Sequence, residues 1–294
     1  MKRILITGAN SYIGTSVGKY LAQWPEQYQV DTADTIDGSW HEKDFSGYDS
    51  VFHVAGIAHI NTKKLDQAGR DRYWKVNAEL PAEVAGKAKK EGVGQFIFLS
   101  SMSVYGEHGS IKNPVTIAPD TRPAPKDLYG KSKLAAEKNL QSLHDSSFAV
   151  CILRPPMIYG PGCKGNYPAL ARFARVSPFF PRFSNERSML FIDNLSIFVR
   201  WLIDSQQQGL FLPRNQETVN TGTLVQAIAA FHGRRIALTR IFNPLLRFLS
   251  GRVSVVDKVL GGLVYQGEEN MGRRQGIRYV DFSASIIKTE EHSR

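Results

Sequence analysis

Short β-branched segments alternate with helical segments over the first 155 residues, and this alternation constrains the fold more than any other feature. Strands are predicted at Arg3–Thr7, Val30–Ala33, Ser50–Val54, Gln95–Leu99 and Phe148–Leu153. Helices are predicted at 12–22, 70–92 and 127–144. Strands that alternate with helices in this way form a parallel sheet with helices on both faces. The predicted fold is therefore α/β with a doubly wound parallel sheet, which binds ligands at the carboxyl ends of its strands.

The character of the sequence changes after Pro156. Residues 159–185 are rich in Gly, Pro, Phe and Arg, and they predict loops with one short helix at 167–175. Residues 194–204 have the pattern of an amphipathic helix that returns to the sheet. We therefore predict a sheet domain from residues 1–160 with 190–212. Residues 161–189 with 213–294 are predicted to form a smaller, mixed α/β domain that binds the substrate.

Basic charge is concentrated in the second half of the chain. The 294 residues have a net charge of +10; residues 1–150 contain 18 basic and 17 acidic side chains, and residues 151–294 contain 19 and 10. Of those 19, 16 are arginine, whose planar guanidinium suits phosphate. Either a phosphorylated or nucleotide-bearing substrate or a basic surface without a specific partner explains the excess. No nucleic-acid-binding motif accompanies it, so nucleic acid is not a predicted partner.

One basic segment leaves two interpretations open. Arg234–Arg252 contains five arginines and no acidic residue, interleaved with Leu, Ile and Phe. Such a segment can lie on an acidic membrane surface. Pro244 interrupts it, however, and this favours the alternative, a basic rim on the substrate domain.

The remaining composition excludes several classes of protein. Cys151 and Cys163 are the only cysteines, so no disulfide framework is predicted, and no metal site is predicted either. No segment reaches the roughly 18 apolar residues that span a bilayer. The apolar run Ile4–Ile6 is too short for the core of a signal peptide. We expect a cytoplasmic protein without stable membrane insertion.

A glycine-containing turn follows the first predicted strand and opens the first predicted helix. Glycines in such a turn let the backbone approach a pyrophosphate, and the helix N-terminus adds N–H groups and a positive dipole end. This is the phosphate-binding turn of a Rossmann fold. The residues predicted to contact the cofactor here are Gly8, Asn10, Ser11, Tyr12, Ile13 and Gly14.

Asp34 lies 20 residues after Gly14, at the end of the second predicted strand. A carboxylate at this place binds the ribose hydroxyls and repels a 2′-phosphate, and no Arg or Lys follows before Lys43, so NAD is predicted rather than NADP. Four further positions fall where the adenine and the nicotinamide end of the cofactor lie. They are Asp44, Phe45, Ala55 and Gly56.

Tyr129 and Lys133 are four residues apart on a predicted helix, so their side chains share one face. A phenol has a pKa of about 10 and is a poor base at neutral pH. A neighbouring ammonium and a positively charged nicotinamide are expected to lower that pKa, so that Tyr129 takes a proton from a sugar hydroxyl while hydride leaves the same carbon. Ser101 follows a buried strand and is expected to donate to the same substrate oxygen.

With these residues the chain resembles the NAD-dependent epimerase/dehydratase family, the extended short-chain dehydrogenases/reductases that act on nucleotide sugars. The resemblance spans nearly the whole chain. Its motifs are Thr7–Gly14, Asp34, His53–Gly56, Asn77, Ser100–Gly106, Tyr129 with Lys133, Arg154–Pro156, Tyr159–Gly162 and Arg187–Asn194.

The resemblance implies a role for each matching residue. Ser101, Tyr129 and Lys133 correspond to the catalytic triad, and Tyr129 and Lys133 also contact the cofactor. Asn77 and Pro156 correspond to further cofactor contacts. Ser103 corresponds to a substrate hydrogen-bond partner, Arg187 to a clamp on the nucleotide diphosphate, and Asn166 to an amide near that diphosphate. Family members commonly pair through helices that match 70–92 and 127–144, which implies a homodimer.

Two departures from the family pattern bear on the chemistry. Ser11 replaces the middle glycine of the turn, so the turn is either slightly displaced or the hydroxyl bonds a phosphate oxygen. Dehydratases of the family have an Asp-Glu pair directly after the catalytic Ser or Thr, whereas this chain has Met102 and Ser103. Neither side chain can supply the acid and base for loss of water, so a 4,6-dehydratase is not predicted.

The two remaining reactions are 4-epimerisation and reduction of a 4-keto sugar, because the same triad serves both. Asp34 favours retained NAD, hence a 4-epimerase of a UDP-hexose or UDP-N-acetylhexosamine. The chain also resembles shorter bacterial members assigned to surface-polysaccharide pathways. The alternative is an NAD(P)H-dependent reductase of a UDP-4-keto sugar. A non-catalytic NAD-binding protein is disfavoured, since Tyr129 and Lys133 are both present.

Overall fold

The computed structural model describes residues 1–8, 10–58, 60–106, 109–267 and 278–292. The chain divides into two compact units. Unit 1 comprises Met1–Gly106, Arg122–Pro155 and Leu195–Pro213. Unit 2 comprises Glu107–Thr121, Pro156–Asn194 and Arg214–Arg294.

Unit 1 is built on a sheet of six parallel strands, which confirms the predicted fold class. The strands are β1 (Lys2–Thr7), β2 (Tyr28–Ala33), β3 (Ser50–His53), β4 (Gln95–Leu99), β6 (Ala149–Leu153) and β10 (Gly209–Phe211). Their spatial order is β10-β6-β4-β3-β1-β2. Five of them match the predicted segments closely, whereas β10 was not predicted. Its sequence, Gly-Leu-Phe, is too short to show a period.

Helices connect these strands. They are α1 (Tyr12–Leu21), α2 (Gln67–Trp74), α3 (Leu80–Lys90) and α4 (Leu128–Gln141), with 3₁₀ turns at Ser39–His41, Thr62–Lys64 and Met102–Tyr105. One apolar cluster of unit 1 includes Leu5, Val51, Phe96 and Val150 of the sheet and Val84 and Leu140 of α3 and α4.

The predicted helix at 70–92 is interrupted in the structure. A π-helical turn, Lys75–Glu79, separates α2 from α3, and the N–H of Leu80 donates to the carbonyl of Lys75. Pro81 follows in the first turn of α3. Proline has no N–H to continue the α-helical ladder, and a wider turn accommodates it.

Unit 2 contains short parallel strand pairs and helices. The pairs join β5 (Val115–Ile117) with β12 (Leu263–Tyr265), β7 (Met157–Tyr159) with β9 (Met189–Phe191), and β8 (Phe179–Pro181) with β11 (Ala237–Thr239). The helices are α5 (Tyr167–Val176), α7 (Thr221–Phe231), α8 (Asn243–Leu249), α9 (Ser254–Leu260) and α10 (Phe282–Glu291). Helix α6 (Ile192–Asp204) begins in unit 2, and most of it belongs to unit 1.

The division of the chain differs from the predicted one at four places. Residues 190–194, predicted with the sheet domain, belong to unit 2, and Pro213 belongs to unit 1. The segment around β5 was assigned to the sheet domain, but β5 pairs with β12 and groups with unit 2. Residues 156–160 also belong to unit 2, because β7 pairs with β9. These pairings join distant parts of the sequence, so no local pattern reveals them. That unit 1 binds NAD and unit 2 binds substrate stays a prediction. No helix among the described residues is long and apolar enough to cross a membrane.

Candidate functional site

The turn between β1 and α1 has the backbone that a dinucleotide requires. Gly8 has a φ of 99°, and a Cβ there would lie 2.7 Å from the backbone nitrogen of Ala55. Asn10 also has a positive φ, 65°, which asparagine tolerates better than most residues. Bare backbone therefore surrounds the N-terminus of α1, where N–H groups and the helix dipole favour a phosphate.

Ser11 does not need the conformational freedom of glycine, because its φ is −70°. It is the N-cap of α1, and its Oγ accepts a hydrogen bond of 3.0 Å from the N–H of Gly14. A Cβ at Gly14 would lie 2.7 Å from that oxygen. The hydroxyl thus caps the helix, an outcome that neither sequence-based alternative for Ser11 included.

Asp34 follows β2 directly, beside the turn, since the N–H of Gly8 donates to the carbonyl of Ala33 at 3.0 Å. Its Oδ1 accepts the N–H of Ile36 at 2.8 Å, which fixes the carboxylate at the carboxyl edge of the sheet. The structure therefore puts a carboxylate where the sequence predicts one. Its role toward the ribose stays a prediction.

The predicted cofactor contacts at Asp44 and Phe45 fit less well. Both oxygens of Asp44 accept from Ser46, at 2.7 and 2.8 Å, and these bonds lower the pKa of the carboxyl group. The ring of Phe45 is fully buried in the core, and its N–H donates to Glu91 at 2.6 Å. The ring of Phe45 thus packs in the core, and its role toward a cofactor stays a prediction.

The loop after β3 is held by Asn77. The Asn77 side chain accepts from the N–H of Ile57 at 2.9 Å and donates to the Ile57 carbonyl at 3.0 Å. A Cβ at Gly56 would lie 2.9 Å from Asn77 Oδ1 and 3.4 Å from Lys133 Nζ. Asn77 was predicted to bind the cofactor, but its amide is engaged with the loop backbone. It acts as a positioning residue for Ala55, Gly56 and Ile57.

Ser101 and Tyr129 meet where α4 approaches the 3₁₀ turn after β4. Ser101 Oγ accepts from the N–H of Ser103 at 3.2 Å and lies 3.2 Å from Ser103 Oγ. A Cβ at Gly130 would lie only 2.3 Å from the Ser103 carbonyl oxygen, so glycine is required for this close approach. Asp127 caps α4 by accepting the N–H of Gly130 at 2.8 Å. The Tyr129 hydroxyl is thereby within hydrogen-bonding reach of Ser101.

Lys133 lies one helical turn after Tyr129 and is buried. Its Nζ donates to the carbonyl of Leu99 at 2.9 Å and stands 4.6 Å from the centre of the Phe98 ring. Burial lowers the pKa of this ammonium to about 8, against the opposing effect of Glu137. Lys133 therefore links α4 to the end of β4 beside Gly56.

That Lys133 and a bound nicotinamide together lower the pKa of Tyr129 stays a prediction; in the protein without cofactor, the surroundings raise that pKa. Burial raises the pKa of the Tyr129 phenol to about 12; the hydrogen bond from Ser101 opposes this rise, and the charge of Asp127 adds to it. The ammonium of Lys133 is engaged with Leu99. The Tyr129 phenol is therefore protonated at neutral pH. It can act as a base only when further positive charge lowers its pKa.

Sequence reasoning missed a buried ion pair behind this cluster. Glu137 continues the four-residue spacing of Tyr129 and Lys133, and it accepts a hydrogen bond from Ser100. Arg154, at the end of β6, donates to Glu137 from Nε at 3.0 Å and from Nη2 at 2.5 Å, and to the Tyr105 hydroxyl at 2.9 Å. The pair therefore ties α4 to β4, β6 and the 3₁₀ turn. Its signal in the sequence was the spacing of Glu137 from Lys133.

Unit 2 brings together the two substrate residues predicted there. Asn166 and Arg187 line one narrow pocket, and Lys258, which was not predicted, lines it as well. Arg187 Nη1 donates to the Gly261 carbonyl at 2.7 Å, and burial lowers the pKa of the guanidinium. Within the described part of the chain, no carboxylate pairs with Arg187. A cation that has lost water without gaining a counterion suits an anionic ligand.

The remaining predicted residues have ordinary positions. Asn166 lies directly before α5, and its side-chain amide makes no capping hydrogen bond to the helix. Pro156 is buried in unit 2, directly before β7. Tyr12 and Ile13 form the first turn of α1. The roles assigned to these residues stay predictions.

Comparison with known proteins assigns the chain to a class. The model of the NAD dependent epimerase/dehydratase family matches residues 4–195. A UDP-glucose 4-epimerase from Vibrio cholerae is 30% identical over 286 residues, which cover 89% of this chain and 86% of that protein. The chain belongs to the NAD-dependent epimerase/dehydratase family.

The chain is also similar to a second epimerase and, in its fold, to a reductase of known structure. The N-acetyl-α-D-glucosaminyl-diphospho-ditrans,octacis-undecaprenol 4-epimerase of Escherichia coli O157:H7 is 23% identical, over 88% of this chain and 81% of that protein. A crystal structure of dTDP-4-dehydrorhamnose reductase from Bacillus anthracis, in complex with NADP, has a TM-score of 0.74 and 19% identity and covers both chains completely. The protein is thus an enzyme of the epimerase/dehydratase family, and its likeness to the reductase shows a shared fold alone.

The family confirms NAD as the predicted cofactor, and the residues of unit 1 fit it. The turn at Gly8 leaves backbone uncovered at a helix N-terminus, and a carboxylate stands at the end of β2. Gly8 has no side chain that could block this approach. A Cβ at this position would collide with the backbone of Ala55. The turn and Asp34 would therefore hold the pyrophosphate and the ribose.

Proposed function

We propose that the protein is an NAD-dependent nucleotide-sugar 4-epimerase. Its substrate is a UDP-hexose or a UDP-N-acetylhexosamine, and its product serves as a precursor of a surface polysaccharide. The proposal depends on one observation: Ser101, Tyr129 and Lys133 lie at the carboxyl edge of one sheet, without an acid–base pair after Ser101. This set can move a proton and position a hydride transfer at one carbon, but it cannot eliminate water.

The chemistry of the site follows from its proton donors. NAD held by the turn at Gly8 and by Asp34 would accept the hydride of C4 of the sugar and give it back, and its positive charge would favour the Tyr129 phenolate. The Tyr129 oxygen takes the proton of the 4-hydroxyl and gives it back after the carbon has inverted, so there is no net oxidation. Ser101 donates to the same sugar oxygen. Lys133 orients the end of β4 and the loop at Gly56 around the reacting carbon.

The diphosphate of the substrate is assigned to unit 2. Arg187 lacks a carboxylate partner among the described residues and shares its pocket with Asn166 and Lys258. A diphosphate would supply the missing counterion. The Vibrio cholerae relative supports a nucleotide-linked sugar as the bearer of this group.

A second candidate substrate has the same diphosphate on a polyprenol. The Escherichia coli relative is named for such a substrate. Exposed apolar and arginine side chains at residues 240–255 of unit 2 favour this candidate, because a polyprenyl substrate resides in a membrane. Arg187 would grip the diphosphate in either case.

The experiment uses the purified protein without added cofactor. Mass spectrometry measures NAD that is released on denaturation, and the same preparation is incubated with UDP-glucose, UDP-N-acetylglucosamine and polyprenyl-diphospho-N-acetylglucosamine in separate reactions. We expect retained NAD and formation of the galacto epimer from one donor class. A protein that converts none of them, yet consumes NADPH when given a UDP-4-keto sugar, is a reductase, and the proposal is then wrong.

Tyr129→Phe tests the proposed proton carrier. Removal of the hydroxyl is expected to lower turnover by at least about 10²-fold, the usual contribution of a positioned acid–base group, while bound NAD is retained. Tyr20→Phe is the matched control, since it removes a hydroxyl from α1 and keeps the ring contact with Trp24. Equal turnover of the two variants would exclude Tyr129 as the proton carrier.

A further inference from the structure

Large apolar side chains are exposed together in and around α8. Of the 13 exposed large apolar residues among those the structure describes, six fall within residues 241–255. They are Ile241, Phe242, Leu245, Phe248, Val253 and Val255, exposed by 81, 46, 59, 60, 39 and 68%. Single exposed apolar residues are normal, but a contiguous group indicates an interaction site. We call this group the α8 face.

The α8 face combines residues of α8 with apolar residues of the segments next to it. Within α8, Leu245 and Phe248 are three residues apart, so their side chains share one side of the helix. Ile241 and Phe242 lie directly before the helix. Pro244 lies in the first turn of α8, where its missing N–H costs nothing. The sequence-based objection to a membrane-surface segment is thereby removed, because Pro244 begins the helix instead of interrupting it.

The charged side chains within residues 234–256 all have one sign. Arg240, Arg247 and Arg252 are exposed in this segment, and no Asp or Glu occurs from residue 234 to residue 256. The next acid, Asp257, is buried and accepts hydrogen bonds from Ser250 Oγ at 2.6 Å and the N–H of Gly251 at 2.7 Å. The Arg252 guanidinium lies 4.5 Å from the centre of the Phe248 ring. Apolar and cationic side chains thus share this segment, and residues 234–256 contribute no acidic side chain to it.

We propose that the α8 face docks on an anionic phospholipid surface. Aliphatic side chains enter the boundary of the acyl chains, and arginines bind lipid phosphates. A second copy of the chain fits this face poorly, since a symmetric pair would place arginines against arginines. A single-stranded nucleic acid fits poorly as well, because stacking on bases requires aromatic side chains and most of these residues are aliphatic.

Sedimentation of the full chain with vesicles tests the proposal. One vesicle preparation contains phosphatidylcholine and phosphatidylglycerol in equal parts, and the other contains phosphatidylcholine alone. We expect binding to the first, weakened by salt, and little binding to the second. The readout is independent of catalysis, so its failure leaves the proposed epimerase activity untouched.

Two sets of variants separate the contributions of charge and apolar contact. Replacement of Arg240, Arg247 and Arg252 by Gln removes three surface cations and is expected to weaken binding by roughly 100-fold, about fivefold for each arginine. Replacement of Leu245 and Phe248 by Ser is expected to weaken binding while its salt dependence persists. Replacement of the exposed Lys63, Lys64 and Lys90 of unit 1 by Gln is the control, since it removes the same net charge elsewhere.

Three outcomes would overturn the proposal. They are equal binding to both vesicle preparations, equal binding of the arginine and lysine variants, and a change of oligomeric state on replacement of Leu245 and Phe248 by Ser. The last outcome, measured by light scattering without vesicles, would identify the α8 face as an interface between copies of the chain.

Discussion

Arg154 of unit 1 and Arg187 of unit 2 have opposite surroundings. Arg154 is 5% exposed and is paired with the buried Glu137, and this carboxylate and the Tyr105 hydroxyl raise the pKa of its guanidinium. Arg187 is partly buried and donates to a backbone carbonyl, and loss of water lowers its pKa. One cation is neutralised within its unit, whereas the other has no carboxylate partner among the described residues.

This difference distinguishes the guanidinium of Arg154, which stabilises the fold, from that of Arg187, which suits an anionic ligand. A buried ion pair holds its two elements together, and removal of one partner leaves the other charge uncompensated. A cation without a counterion destabilises its own surroundings, and it is retained where a bound anion compensates it. The arginine of unit 1 therefore holds elements of its unit together, whereas the proposed role of the arginine in unit 2 is to bind an anion.

Arg154→Met is expected to have the largest effect. It leaves Glu137 buried and unpaired, which costs about 3–5 kcal/mol of the free energy of unfolding. Chemical denaturation of the variant checks this value. The double variant Glu137→Leu with Arg154→Met removes both charges, and we expect it to recover most of the lost stability. A single variant as stable as the double variant would contradict the structural role of the pair.

Arg187→Met is expected to behave in the opposite way. The variant loses no ion pair, so its free energy of unfolding should equal or exceed that of the parent. The Michaelis constant for a UDP-sugar should rise by about 10- to 100-fold, because a charged hydrogen bond contributes about 1.5–3 kcal/mol. Denaturation and steady-state kinetics provide the two readouts.

Arg175→Met is a control for the loss of a guanidinium in unit 2. Arg175 is paired with the buried Glu290 at 2.9 Å, so its removal should lower stability and leave the Michaelis constant unchanged. If Arg187→Met lowered stability in the same way without a change in the Michaelis constant, Arg187 would be a structural arginine and the diphosphate would bind elsewhere.

The sequence predicted those parts of the fold and site that depend on local pattern. Alternating segments predicted five of the six strands of the parallel sheet, and the four-residue spacing of Tyr129 and Lys133 put both on one helix. It could not reveal partners that only the folded chain brings together. The engagement of Asn77 with the loop at Ile57 and the pairing of Glu137 with Arg154 are examples.

The pKa of Tyr129 in the protein without cofactor is a further example of a property that spacing alone does not predict. Spacing places an ammonium near a phenol, but it does not report how strongly burial disfavours the phenolate, nor that the Leu99 carbonyl binds the ammonium. Phe45 is a similar case, since its position in the sequence does not report that its ring is buried in the core. Local motifs therefore predicted which residues gather, and tertiary contacts determined their electrostatics.

His53 is a buried basic residue of unit 1 that, unlike an arginine, can lose its charge. Its Nδ1 lies 2.8 Å from Thr7 Oγ1, and its Nε2 has no partner among the described residues. Burial, with a further effect of the Lys133 charge, lowers its pKa to about 3. An arginine cannot deprotonate in this way, which is why Arg154 needs Glu137.

The consequence is a loss of stability in mild acid. The unfolded chain protonates His53 below its ordinary pKa of about 6.5, whereas the folded chain does so only near 3. The stabilisation is complete above pH 6.5 and is lost as the pH falls toward 3. Between pH 7 and pH 5.5 this single group is expected to cost roughly 1 kcal/mol of the free energy of unfolding. Denaturation curves at both pH values measure this change in the free energy of unfolding. In His53→Asn the change should be smaller by that amount, and in the control His41→Asn, at an exposed position, it should equal that of the parent. An identical change in all three proteins would mean that His53 is protonated in the folded chain.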